Sequence, residues 1–380
     1  MIKPAHRLDT VQEYYFSKKL REVRELIAKG KSIINMGIGS PDLQPPNEVL
    51  EAIQQSLKSE NAHKYQSYQG LPELRNAISN FYQTKYSVEI NPENEVLPLM
   101  GSKEGIMHIS MAFLNAGDKV LIPNPGYPTY SSVTNLVGAE TQFYNLKQEK
   151  NWLPDFEQLE KLDLSKVKLM WVNYPNMPTG TNTTLETLKK LVDFGKKHQI
   201  LIVNDNPYSF ILNKKPISIL QVDGAKDIAL ELNSLSKTFN MAGWRVGMVL
   251  GNPTFINQIL KVKSNMDSGM FFGIQKGAIK ALQTPNYWLD KQNEVYEKRR
   301  KLIWQLADKL GVSYSKDSSG LFVWAKINTK ELSEDFTDKL LYNKDIFIAP
   351  GTVFGSEGEG YVRFSLCVDS DTINEAISRI

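Results

Sequence analysis

In the stretch SLSKTFNMAGWRVG, residues 234–247, the amine of Lys237 stands among Ser234, Ser236 and Arg245. A surface lysine between a strand and a turn would account for Lys237 taken alone. Its neighbours point to other chemistry, because hydroxyls and an arginine hold phosphate and a desolvated amine attacks carbonyl carbon. Asp205, four residues after Leu201 in ILIVND, places a carboxyl where an apolar run ends. Gly101-Ser102-Lys103-Glu104-Gly105 lies just ahead of a helical pattern, and a helix N-terminus receives anions. A lysine, a strand-end acid and several phosphate contacts together match the needs of pyridoxal 5'-phosphate, which takes a lysine at its aldehyde and an acid at its pyridine nitrogen.

Competing motifs are incomplete. Ser234-x-x-Lys237 has the spacing of serine acyl enzymes, but the Ser-Asp-Asn and Lys-Thr-Gly elements that go with it are missing. The chain also lacks Gly-x-Ser-x-Gly, a Walker A loop, His-Glu-x-x-His and Gly-x-Gly-x-x-Gly. Hydrolase, P-loop and Rossmann readings fall with them.

These residues need elements to position them. Amphipathic helical spacing runs over Thr10–Lys29 and stops at Gly30. SIINMGIGSPDLQPP follows as a short strand and a loop shaped by glycine and proline. Helical patterns recur over Asn47–Lys58, Leu71–Tyr86, Lys103–Asn115 and Thr184–His198. Apolar runs at 119–123, 167–173, 200–205, 227–232 and 245–251 alternate with them, the pattern of βαβ units around a largely parallel sheet covered on both faces. Asn173, Asp205 and Lys237 fall at the C-terminal ends of such runs, the edge at which open parallel sheets bind ligands. A long charged helix after Asn286 leads into an α+β tail with strands at 321–327, 345–350 and 361–366.

The 380 residues exceed what one core usually serves. The expected fold class is α/β: a large domain over 46–280, and a smaller α+β domain made from 1–45 and 281–380. A net charge of +3, with lysine pairs on solvated faces, does not imply nucleic acid. One cysteine excludes an internal disulfide framework, and four scattered histidines suggest no metal site. Without a signal-type segment or a run of 18 apolar residues, a cytoplasmic chain with no membrane span is expected.

The lysine segment resembles that of the class I/II aminotransferases, which have the fold type I architecture. GIGSPDLQPP, KYQSYQGLPELR, GSKEG, PNPGYPTY, NYPNMPTG, DNPY, the lysine segment and YVRFSL follow in that family's order over nearly the whole chain. The resemblance implies a homodimeric enzyme that moves an amino group from an L-amino acid to a 2-oxo acid by a ping-pong route. It implies that Lys237 holds the cofactor and moves the substrate's α-proton, that Asp205 faces the pyridine nitrogen, and that Tyr208 bonds the ring's 3-oxygen. Tyr127 would stack on the ring, where a core tyrosine is the plainer reading. Gly101, Ser102, Lys103, Ser234, Ser236 and Arg245 would receive the phosphate, joined by Tyr65 of the neighbouring subunit. Arg363 would clamp the substrate α-carboxylate with backbone help at Gly39, where a surface arginine on an edge strand is the alternative.

Met177 departs from the family's pattern, which usually has an asparagine donor there; methionine cannot donate. Two rivals share the scaffold: a carbon–sulfur β-lyase, with the same cofactor contacts, and a non-catalytic binding protein. Tyr14, Tyr15 and Phe16 are candidates for a pocket that takes an apolar or aromatic side chain.

Overall fold

The computed structural model describes residues 2–9, 11, 13 and 15–380. Its strands are, in chain order, β1 (Ile34–Asn35), β2 (Val96–Leu99), β3 (Lys119–Asn124), β4 (Glu140–Asn145), β5 (Val167–Val172), β6 (Leu201–Asp205), β7 (Ala229–Ser234) and β8 (Gly247–Gly251). The C-terminal part adds β9 (Val312–Tyr314), β10 (Phe322–Ile327), β11 (Ile346–Phe347), β12 (Ala349–Pro350) and β13 (Tyr361–Ser365).

Strands β2–β8 form a seven-stranded sheet in the order β2-β8-β7-β6-β5-β3-β4. The pairs from β7 through β4 are parallel, while β8 runs antiparallel to both its neighbours. The apolar run at 245–251 therefore enters the sheet, but in the opposite direction to the βαβ strands.

Alternation along each strand sends side chains to opposite faces. Leu121, Met170 and Ile202 join one buried cluster, whereas Ile122, Leu169, Trp171, Leu201 and Val203 join another. Both faces are covered, so the central strands read as nearly unbroken apolar runs. Strands β2 and β4 lie at the sheet's edges, and neither is among the runs read from the sequence. In β4 only Tyr144 is buried, which leaves too weak an apolar signal to read.

Helix boundaries follow from local chemistry. Thr184 caps Leu185–His198 by accepting from the Thr187 N–H, and Gln199 ends it in the left-handed region. The helix expected over Thr10–Lys29 spans Tyr15–Ala28, and Thr10, Gln12 and Tyr14 lie outside the described residues. The long charged helix is Asn286–Lys309.

Strands β12-β13-β10-β9 make a second, antiparallel sheet of four strands. Strand β1 pairs in parallel with β11, which ties the N-terminal segment to the C-terminal part. Phe16, Val23, Ile34 and Met36 share a buried cluster with Phe322, Phe347, Phe354 and Phe364. Arg299 reinforces the tie, with both terminal nitrogens 2.7 Å from the Asp42 carboxylate and Nη1 3.0 Å from the Leu366 carbonyl.

Glu231 sits fully buried in β7 and accepts from the Tyr82 hydroxyl (2.9 Å), the Ser218 hydroxyl (2.8 Å) and the Ile219 N–H (3.0 Å). Glu231→Leu strands these donors away from water. It should lower stability by about 2–4 kcal/mol, while Glu231→Gln, which keeps an acceptor, should cost less than half as much. Urea denaturation of the three proteins measures this; equal midpoints for the two variants would show that the network contributes nothing beyond side-chain volume.

Candidate functional site

Strand β6 ends in Asp205, β5 leads into Asn173, and β7 runs to Ser234 before the one-turn helix Leu235–Thr238 that carries Lys237. Parallel pairing in register brings these ends together, since Val172 pairs with Asn204 and Asp205 with Leu232. A cavity of about 630 Å³ lies along this edge and extends to the second sheet.

Most residues expected from the sequence line that cavity: Gly39, Ser102, Lys103, Tyr127, Asp205, Tyr208, Ser234, Ser236, Lys237, Arg245 and Arg363. Gly101 stands just behind it. Its φ of 88° suits glycine, and a Cβ there would fall 2.0 Å from Arg245 Nη2. Tyr65 is the exception, 91% exposed and absent from the cavity wall of its own chain. A larger surface hollow of about 930 Å³ beside Phe143, Lys147 and Trp152 contains none of these residues.

Lys237 donates to the Gly39 carbonyl at 2.6 Å. The approach depends on Gly39, because a Cβ there would meet Phe322 Cζ at 2.2 Å. Burial lowers the Lys237 pKa; Arg363 and Arg245 push the same way and Cys367 opposes them. The reading of Lys237 as a solvated surface lysine does not fit this setting.

Asp205 is buried, with Oδ2 accepting from the Tyr130 hydroxyl at 2.8 Å and Oδ1 without a hydrogen-bond partner. Burial raises its carboxyl to about 7, the Tyr130 hydrogen bond acts against this, and the Glu231 charge adds to it. Arg363 lies on β13, between β12 and β10 rather than at an edge, and is only 4% exposed. Its Nη2 donates to the Gly37 carbonyl at 2.6 Å, and its Nη1 lies 3.4 Å from the Met177 sulfur.

The sequence marked Asn173 as lying on the ligand-binding edge without giving it a specific role, and it did not mark Tyr130. Tyr130 stacks on Trp171 with ring centroids 4.9 Å apart, and Asn173 donates to the Asp205 carbonyl at 2.5 Å. Tyr130 lies at the start of the helix Thr129–Leu136, three residues after Tyr127, a position too common in sequences to mark it. Met177 is buried in the cavity wall, whereas Asn176 turns away and accepts from the Thr179 hydroxyl at 2.8 Å. Of the three aromatics expected at a substrate pocket, Phe16 lines the cavity, Tyr15 packs edge-on against Phe16 outside it, and Tyr14 lies outside the described residues.

The donor set fits pyridoxal phosphate. An amine and an orphaned buried carboxylate oxygen share the cavity with an anion-binding group: the start of the helix Ser102–Phe113, two serines and an arginine. Outside it, Glu104, His108 and Asp267 bring ligand-type atoms within 4.8 Å of one another, with the Lys263 ammonium 2.6 Å from Asp267.

Asp205 gives the cofactor-free protein a definite pH dependence. The folded state keeps a proton here that the unfolded chain releases above about pH 4. This stabilisation is therefore complete below about pH 4 and is lost as pH rises through about 7. Between pH 5 and 8, wild type should lose on the order of 2–3 kcal/mol more stability than Asp205→Asn. Denaturation curves at both pH values test this, and parallel losses would show that Asp205 is already ionised at pH 5.

The chain matches the family model described as "Aminotransferase class I and II" over residues 31–380. It is 40% identical to an LL-diaminopimelate aminotransferase of Aquifex aeolicus, with 100% of this chain and 99% of that one covered. Among solved structures it resembles apo-BacF from Bacillus subtilis, at 36% identity and a TM-score of 0.96, covering 100% of this chain and 98% of that one. An aminotransferase from Staphylococcus aureus matches at 32% identity and a TM-score of 0.91, covering 99% and 98%. These matches support amino-group transfer and give the lyase reading no support. With its fold, its cavity and its relatives in agreement, the chain belongs to the class I and II aminotransferases, pyridoxal phosphate-dependent enzymes of fold type I.

Proposed function

We propose that the β5–β7 edge is the active site of this aminotransferase and that it works by a ping-pong route in which Lys237 carries the proton steps. The observation that carries the reading is the placement of one desolvated amine and one buried carboxylate in the same cavity as Arg363. Bound pyridoxal phosphate supplies an aldehyde to bond amines and a ring that draws electrons from the substrate's α-carbon.

The protein's own groups do the remaining work. Burial lowers the Lys237 pKa and so favours the neutral amine, whose Nζ can take a proton from the substrate's α-carbon. The Gly39 carbonyl aims that nitrogen into the cavity. Asp205 would accept a ring N–H of the cofactor at Oδ1, and pairing with that positive charge would favour its ionised form. Tyr130 holds the Asp205 carboxylate and Asn173 its backbone carbonyl, and Tyr208 offers a hydroxyl from the cavity wall. The N–H groups at Ser102 and Lys103, with Ser234, Ser236 and Arg245, hold the phosphate beside Gly101. Tyr127 supplies an aromatic face for the ring. Arg363 takes the α-carboxylate through a charge-assisted pair.

Tyr65, nearly bare in one chain, is assigned to the phosphate of a second copy, making the active form a homodimer. We divide the chain into a part over 46–280 and a part joined from 1–45 and 281–380, a reading supported by the cavity's taking lining residues from both. Among the described residues no helix is long and apolar enough to cross a membrane, and we assign the enzyme to the cytoplasm. LL-diaminopimelate, the compound in the relative's name, is the reference amino donor for assays.

Lys237→Ala should abolish amino transfer while cofactor still binds through its phosphate. More than a trace of activity without an added amine would identify another lysine as the catalytic one. Tyr65→Phe should weaken cofactor retention, and the dimer should be the smallest active species; sedimentation with parallel assays would expose a fully active monomer if the shared-site assignment is wrong.

A further inference from the structure

The cavity's second half is built for apolar contact, and from it we infer that the enzyme prefers amino acids with aromatic or large aliphatic side chains over those bearing a second charged group. The inference rests on the assignment of the α-carboxylate to Arg363.

Three rings surround that guanidinium. Its carbon lies 3.9 Å from the ring centre of Phe322, 4.6 Å from Phe354 and 5.5 Å from Phe16, and all three rings line the cavity. A carboxylate paired with the guanidinium at hydrogen-bond distance puts the substrate's β-carbon only about 5–6 Å from the same carbon. The side chain therefore starts within reach of these rings. Leu20, one helical turn after Phe16, and Ile38 extend the apolar wall.

The charges in the cavity wall are unevenly distributed. Asp205 is the only carboxylate among the described lining residues, and it lies at the strand edge bonded to Tyr130. A second ammonium, as in a diamino acid, meets no other acid among those described residues. A second carboxylate has Lys103 as its remaining candidate, but Lys103 opens the helix at the Ser102 end, where Arg245 bears on it. An extra charge set against Phe16 and Phe354 is desolvated with no further oppositely charged partner among the described lining residues of this chain, while an apolar side chain gains from the same burial.

The test follows the amino-donor half-reaction of the cofactor-loaded enzyme through its visible absorption, which needs no choice of 2-oxo acid. L-Phenylalanine, L-tyrosine and L-leucine should show kcat/KM at least about tenfold above L-glutamate, L-aspartate and LL-diaminopimelate, a ratio that a shaped apolar pocket can supply. Equal or faster reaction with the charged donors overturns the preference and leaves the aminotransferase assignment standing. No spectral change with any donor overturns both. Leu20→Ala, which removes wall without touching Arg363, should raise the KM for phenylalanine about fivefold or more and that for alanine less than twofold. A uniform effect on both donors would show that Leu20 acts on the fold and not on the side chain of the substrate. Phe16→Ala should repeat the split; loss confined to charged donors overturns the inference.

Discussion

A carboxylate at the buried end of a parallel strand is the constraint around which this molecule is arranged. Asp205 has one oxygen bonded to Tyr130 and the other unpartnered in the cavity. Leaving a buried acceptor unmatched is costly, and such a group persists where a ligand supplies the missing charge. The surrounding sheet makes the position unavoidable, because β6 is enclosed on both sides by β5 and β7 and on both faces by packed side chains. The same low-polarity setting depresses the pKa of Lys237. One environment thus shifts an acid up and an amine down, which brings both toward the range where protons move near neutral pH.

The second sheet completes the site. Arg363 reaches the cavity from β13, and the rings of Phe16, Phe322 and Phe354 pack around its guanidinium. Faces of aromatic rings attract a cation without neutralising it. The Met177 sulfur beside it is too weak an acceptor to compete. The tie between β1 and β11, with the Arg299–Asp42 pair, holds the N-terminal loop that carries Gly37 and Gly39 against this sheet. Both glycines permit close contacts, since Cβ atoms at these positions would strike Phe347 and Phe322.

Much of the site was legible in the sequence because ordered short motifs combine a chemical group with the backbone shape that presents it. Lys237 follows a strand with serines on one side and a glycine-tryptophan-arginine turn on the other, and eleven of the expected residues do meet at one cavity. Tyr130 was not legible: a tyrosine at a helix start is commonplace, and its bond to Asp205 spans 75 positions. The aromatic cage of Arg363 was hidden for the same reason, as Phe16, Phe322 and Phe354 lie far apart in the chain. Edge strands β2 and β4 escaped because a short or half-exposed strand carries little apolar periodicity.

The sequence by itself determined the residue types and the local elements. It placed the βαβ alternation, the capped helices, the glycine-rich turns and the lysine segment, all of which depend on interactions within a few residues. Tertiary structure decided which strand ends are adjacent, the reversed direction of β8, the burial that shifts Asp205 and Lys237, and the ring of phenylalanines around Arg363. Those properties depend on strand pairing and on exclusion of water by side chains distant in the chain. Short-range preference can specify an element and its caps; the polarity around a charged group is set only when the whole core closes over it.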